Sequence, residues 1–82
     1  MVLVELVVPA LGQQYDFELD ENVKVRAAVP EIVEMLSQKE HCSFGNPAGE
    51  MSLYSVSRSL RLAMDATVHQ NGVINGEKLI LI

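Results

Sequence analysis

Three side chains in this sequence could act as nucleophile, base or soft metal ligand: His41, Cys42 and His69. A thiolate raised by an imidazole needs the sulfur and a ring nitrogen within hydrogen-bond reach. His41 and Cys42 are neighbours in sequence, a spacing that usually turns two side chains apart, and His69 lies far along the chain. The expectation is therefore a histidine at a helix end and a semi-buried thiol. The same three residues are too few for a structural zinc site and lack its spacing, so neither metal nor cofactor is expected. Asp16, Glu18, Asp20 and Glu21 form the densest acidic cluster. Strand alternation and helix capping account for all four, which favours a solvated face over a calcium site. No residue is assigned a catalytic role, and the chain reads as a binding protein rather than an enzyme.

The elements that carry these residues belong to one small domain spanning residues 1–82. Hydrophobic residues make up 49% of the chain and charged residues 21%, enough to fold around a core that lacks tryptophan and is mostly aliphatic. Eleven acidic residues against six basic ones give a net charge of −5. Nucleic acid demands a basic face to neutralise phosphates, and an anionic membrane surface would repel such a chain, so neither partner is expected. No apolar run approaches the ~20 residues that cross a bilayer, and direct membrane insertion is not expected. A single cysteine and a start without a basic, signal-like region point to a cytoplasmic protein.

Val2 to Val8 is a Val/Leu-rich run broken by Glu5, and Tyr15 to Leu19 alternates apolar with acidic residues. Period two defines half-buried strands, and Pro9 to Gln13 between them supplies the turn of a hairpin. The period then lengthens. Val25, Val29, Ile32, Val33 and Leu36 share one face of a helix, with Asp20 and Asn22 as candidate N-caps. Pro30 is discordant inside that pattern, so the regular helix is expected either to begin near Ala27 or to kink. His41 to Glu50 reads as a loop and Met51 to Val56 as a third strand. Ser57 to Ser59 makes a turn, and Leu60 to Leu62 a very short strand. Thr67 to Gln70 is a single helical turn closed by Asn71-Gly72, Asn75-Gly76 turns again, and Lys78 to Ile82 is the last strand. A continuous sheet covering one helix requires the last strand to lie beside the first. The expected fold is α+β: a β-grasp with a mixed four- to five-stranded sheet packed on one helix.

Alternation also sorts the two faces of that sheet. With Tyr15, Phe17 and Leu19 towards the helix, Val2, Val4, Leu6 and Val8 point in and Leu3 and Val7 point out. Leu79, Leu81 and Leu53 point in, leaving Ile80, Ile82 and Tyr54 outside. Strand order is expected to gather Leu3, Tyr54, Ile80 and Ile82 into an apolar patch rimmed by Asp16, Glu18 and Lys78. Such a patch on a small acidic domain suits a protein partner, or a second copy in a homodimer.

The C-terminal stretch Val68-His69-Gln70-Asn71-Gly72-Val73-Ile74-Asn75-Gly76-Glu77-Lys78-Leu79 resembles the signature of bacterial YukD-like proteins, a ubiquitin-like family. In that family Leu-x-x-x-Gly-Ile-x-x-Gly-Asp-x-Leu forms the last turn and strand. Here Val68 stands for the first Leu, Gly72-Val73 for Gly-Ile, and Gly76-Glu77-Lys78-Leu79 for Gly-Asp-x-Leu; Leu53 and Val56 fit the third strand. The resemblance implies a cytoplasmic accessory protein of type VII (ESX-like) secretion in Gram-positive bacteria, with a secretion-machine component as partner. It also places the Leu3, Tyr54, Ile80 and Ile82 face where relatives of ubiquitin commonly bind. Ubiquitin and the sulfur carriers of this fold react through a flexible Gly-Gly tail, whereas this sequence ends Leu79-Ile80-Leu81-Ile82. Non-covalent binding is expected, not conjugation; a homodimeric structural protein outside secretion is the alternative.

Overall fold

The computed structural model describes residues 1–41 and 51–82. The loop expected over His41 to Glu50, and Cys42 with it, therefore lies outside the described residues except for His41. Strand β1 (Val2–Val8) and strand β2 (Gln13–Leu19) form an antiparallel hairpin, registered from Val2 opposite Leu19 to Val8 opposite Gln13. A single 3-10 turn, Pro9–Leu11, connects them, with Pro9 at its first position and Gly12 closing it in the left-handed conformation. β2 begins two residues before the alternating segment, because Gln13 and Gln14 continue the ladder although neither is buried.

Helix α1 runs from Val25 to Lys39 and holds Pro30 in its interior. It starts ahead of the expected Ala27 because its first donors find acceptors in a distant loop. The Val25 N–H donates to the Ala66 carbonyl at 3.0 Å and the Arg26 N–H to the Met64 carbonyl at 2.9 Å. Those two bonds satisfy donors that a side-chain cap would otherwise serve. Lys24 occupies the N-cap and makes no capping bond. Asp20, expected as a cap, instead accepts from the Asn22 N–H at 2.9 Å in a turn ahead of the helix.

Strands β3 (Leu53–Ser55), β4 (Leu60–Arg61) and β5 (Lys78–Leu81) complete a five-stranded sheet in the order β2-β1-β5-β3-β4. β1 and β5 pair in parallel at its centre, and the other pairs are antiparallel. The sheet is mixed, as the β-grasp plan requires. Inward residues Val4, Leu6, Val8, Leu53, Leu79 and Leu81 meet Val25, Val29, Ile32 and Leu36 of α1 in one aliphatic core. Burying each such side chain contributes about 1.5–3 kcal/mol.

The expected helical turn at Thr67 is fixed by a reciprocal pair. The Gln70 N–H donates to Thr67 Oγ1, and the Thr67 N–H donates to Gln70 Oε1, both at 2.9 Å. This capping box needs Thr and Gln three residues apart. Gly72 ends the turn at φ +75°, where any side chain would also crowd the Arg58 guanidinium at 3.2 Å.

Candidate functional site

The outer face of the sheet carries the apolar residues that lack a covering element among the described residues. Ladder registers define its central row: Val7 opposite Ile80, and Ile80 opposite Tyr54. All three are half-buried. Ile82 lies two residues beyond Ile80 on the same face, 52% exposed, its backbone still exchanging bonds with Ser52. Val56 extends the ladder past Tyr54, its N–H donating to the Lys78 carbonyl at 3.0 Å. Tyr54, Val56, Leu60, Ile80 and Ile82 together line a shallow depression beside the short strand β4. Polar residues frame the row: Gln14 opposite Val7, Arg61 opposite Tyr54, and Glu5 facing Lys78 two pairs along.

Leu3 does not belong to this group. Its partner across the hairpin is Glu18, and on the other side its carbonyl accepts from the Gly76 N–H at 2.7 Å while its N–H donates to Asn75 Oδ1. Four residues of strand separate it from Val7, roughly 13 Å at ~3.3 Å per residue, with Glu5 between them. The structure thus brings Tyr54, Ile80 and Ile82 together with Val7, and sets Leu3 on the same face but further along β1. A signal for this was present in the sequence. Opposite charges favour facing positions on neighbouring strands, and setting Glu5 against Lys78 places Val7 beside Ile80. Val56 follows Tyr54 outward by the same alternation, whereas Leu60 lies across the Ser57 to Ser59 turn, where alternation along one strand does not set its place.

A second cluster holds this face in register. Glu77, the residue before β5, is 7% exposed. Its Oε2 accepts from Ser55 Oγ, from Arg58 Nε at 3.1 Å and from Arg58 Nη2 at 2.8 Å, and its Oε1 accepts from the Ile74 N–H at 3.2 Å. Arg58 also donates from Nη1 to the Asn71 carbonyl at 2.7 Å. One carboxylate therefore joins the end of β3, the following turn and the start of β5, the strands that supply Tyr54 and Ile80. Burial pushes the Glu77 carboxyl up. The bonds from Ser55, Arg58 and Ile74, with the Arg58 charge, outweigh that and hold it below the usual carboxylate range. Its oxygens are committed to structure, which suits a register pin rather than a general base.

The acidic cluster divides. Asp20 makes its turn, Glu21 pairs with the Met1 amino group at 3.3 Å, and Asp16 and Glu18 stand exposed on β2. His41 sits just past the end of α1 at φ +54°, and His69 lies in the Thr67 turn. Among the described residues no group of three or more His, Cys, Asp and Glu is placed to hold a metal ion. No described helix is long and apolar enough to cross a membrane.

Solved structures share this architecture. Ubiquitin of Caldiarchaeum subterraneum superposes with a TM-score of 0.71 at 21% identity, over 99% of this chain and 90% of its own. The ubiquitin-like domain of the type VII secretion protein EccD1 of Mycobacterium tuberculosis gives 0.68 at 18%, over 100% and 99%. A chain of the ESX-5 inner membrane complex gives 0.77 at 17%, covering 99% of this chain and 20% of its own length. At these identities the likeness establishes the ubiquitin-like fold. No curated protein matches the sequence. The family model for protein YukD of the WXG100 protein secretion system matches residues 2–81. All five strands and the helix lie within that span, and the chain belongs to the YukD family.

Proposed function

We propose that this protein is a cytoplasmic, non-enzymatic adaptor of type VII secretion that binds a secretion-machine protein through Val7, Tyr54, Ile80 and Ile82. The observation that carries the reading is the continuous apolar row across the central strands, with Ile82 and Val56 exposed beside it. Water-facing aliphatic and aromatic side chains in one contiguous group are a common mark of a protein-binding surface. Arg61, Gln14 and the Glu5–Lys78 pair provide a polar rim of mixed charge that orients a partner. Membership of the YukD family supports a partner within the secretion machinery. Contact is non-covalent, so no adduct larger than the 9.0 kDa chain forms in host lysate.

The test is capture from native host lysate by wild type and by folded Ile80→Asp and Ile82→Asp variants. Wild type retains secretion-machine components and both variants lose them. Equal retention by all three removes this face from the interaction. A dimer that resists dilution and becomes monomeric on Ile80→Asp assigns the face to self-association instead.

A further inference from the structure

The sheet has two edges of unequal length. β4 closes one with two residues, and β2 leaves seven residues along the other. In an antiparallel pair, residues alternate between those whose backbone groups point at the partner strand and those whose groups point away. The Glu5 N–H donates to the Glu77 carbonyl, and the Leu3 carbonyl accepts from the Gly76 N–H, so both turn their backbones towards the β5 side. Their partners across the hairpin, Asp16 and Glu18, therefore direct N–H and C=O outward from this edge, which pairs with no further strand among the described residues. Gln14, opposite Val7, repeats the pattern.

Directly inside that edge, two adjoining concavities of about 510 and 240 Å³ run between β2 and α1. They share Met1, Phe17, Glu18 and Met35. Met35 projects from α1 with 56% of its surface exposed, and thioether side chains of this kind adapt to whatever packs on them. Charge around the edge is mostly negative. Asp16 and Glu18 stand on the outer side, Asp20 and Glu31 line the smaller concavity, and the nearby Lys39 ammonium sits 5.0 Å over the Tyr15 ring.

We infer that the β2 edge and the adjoining groove form a strand-addition site for an extended partner segment in which basic and apolar residues alternate. The alternation follows from the pleat. Residues of an added strand facing Asp16 and Glu18 share their side of the sheet, where opposite charge is favoured. Residues facing Tyr15 and Phe17 fall over the groove, where Met35 and Met1 offer apolar surface. Backbone bonds to Gln14, Asp16 and Glu18 supply affinity, and the two side-chain rows supply selectivity. The site adjoins the outer row at Gln14, opposite Val7, but neither Ile80 nor Tyr54 lines its groove, so it is tested separately from the adaptor reading.

The probe is a blocked heptapeptide of alternating lysine and valine, compared with an isomer in which the lysines are grouped. Titrated into the isotope-labelled 82-residue chain, the alternating peptide shifts and protects the amides of Gln14, Asp16 and Glu18. Met35→Glu, and separately the Asp16→Lys/Glu18→Lys double variant, each weaken it roughly tenfold. Ile80→Asp leaves the affinity unchanged, and circular dichroism confirms that every variant is folded. Equal affinity for the grouped isomer, shifts centred on Tyr54 and Ile80, or no saturable binding by about 1 mM peptide each overturns the proposal. Concentration-dependent protection of β2 without peptide overturns the partner assignment and gives the edge to a second copy of the chain.

Discussion

Leu79 and Ile80 are neighbours in β5, yet their surroundings differ completely. Leu79 is fully buried against α1, whereas Ile80, one residue on, is half-buried between Val7 and Tyr54 on the side away from the helix. The contrast repeats in Leu6 against Val7 and in Leu53 against Tyr54. In these three pairs the outward residue is apolar like its inward neighbour, so residue type alone does not separate core from candidate interface. What separates them among the described residues is the helix, which covers one face and not the other. Apolar residues on the inner face are required by folding. Those on the outer face are not, which makes them the candidates for a role in binding.

Cutting each face by the same chemistry tests the difference most strongly. Leu79→Ala leaves a cavity under α1 and is expected to destabilise the fold by about 2–5 kcal/mol. Ile80→Ala trims a half-buried side chain outside the core and is expected to cost about 1 kcal/mol. Urea denaturation of the two variants measures both. Equal losses would mean that the outer row is packed as a second core, and the interface reading would fail with it.

Next in size is the pin that joins the faces. Glu77→Gln keeps the shape of the side chain but removes the charge that Arg58 and Ser55 address, at an expected cost of about 2 kcal/mol near neutral pH. Because the folded carboxyl is held below its ordinary value of 4.5, its contribution is present above the unfolded value and is lost as pH falls through the folded one. Stability of the wild type should therefore fall faster than that of Glu77→Gln as pH drops below about 4.5, so that the two curves converge. Thermal melts across that range provide the check; parallel curves would show that Glu77 is not the group responsible.

Much of the two-faced sheet is legible in the sequence, because period two in β1, β2 and β5 and the longer period in α1 are local properties. Inward Val4, Leu6 and Leu79 and outward Leu3, Ile80 and Tyr54 all follow from alternation alone. Register is not local. Which outward residue of β1 stands beside Ile80 depends on where the Gly76 turn delivers β5, and that turn is set by Asn75 bonding Leu3 and by Glu77 bonding Ser55 and Arg58. Alternation turns both Leu3 and Val7 outward, and those contacts decide that Val7 is the one beside Ile80. The start of α1 was hidden similarly, since the acceptors for Val25 and Arg26 are carbonyls about forty residues later in the chain, at Ala66 and Met64. The YukD-like signature was readable because its glycines and the following Glu-x-Leu lie close together in sequence.

Pro30 offers a smaller test of how the inner face is covered. Proline has no N–H, so the bond that residue 30 would send to the Arg26 carbonyl is missing from an otherwise continuous α1. Pro30→Ala restores that donor but releases backbone freedom in the unfolded chain, and the two effects oppose each other. A net gain of about 1 kcal/mol is expected, since Val25 and Arg26 already anchor the first turn. A loss on denaturation would indicate that the ring of Pro30 packs usefully at its half-buried position.

The smallest effect belongs to Leu3, and it separates the outer row from mere exposure. Leu3 is 47% exposed and Ile82 52%, so the two are nearly equivalent by accessibility. Leu3→Lys places a cation opposite Glu18, and stability should change by no more than about 0.5 kcal/mol. Ile82→Lys should be equally mild for folding. Capture of a secretion partner distinguishes them: Leu3→Lys retains it and Ile82→Lys loses it, because only Ile82 adjoins Ile80 and Tyr54. Loss of capture by both variants would extend the interface past Glu5 to the Gly76 turn. Retention by both would leave exposed apolar surface on this face with no binding role, since the row would then tolerate a charge at its most accessible position.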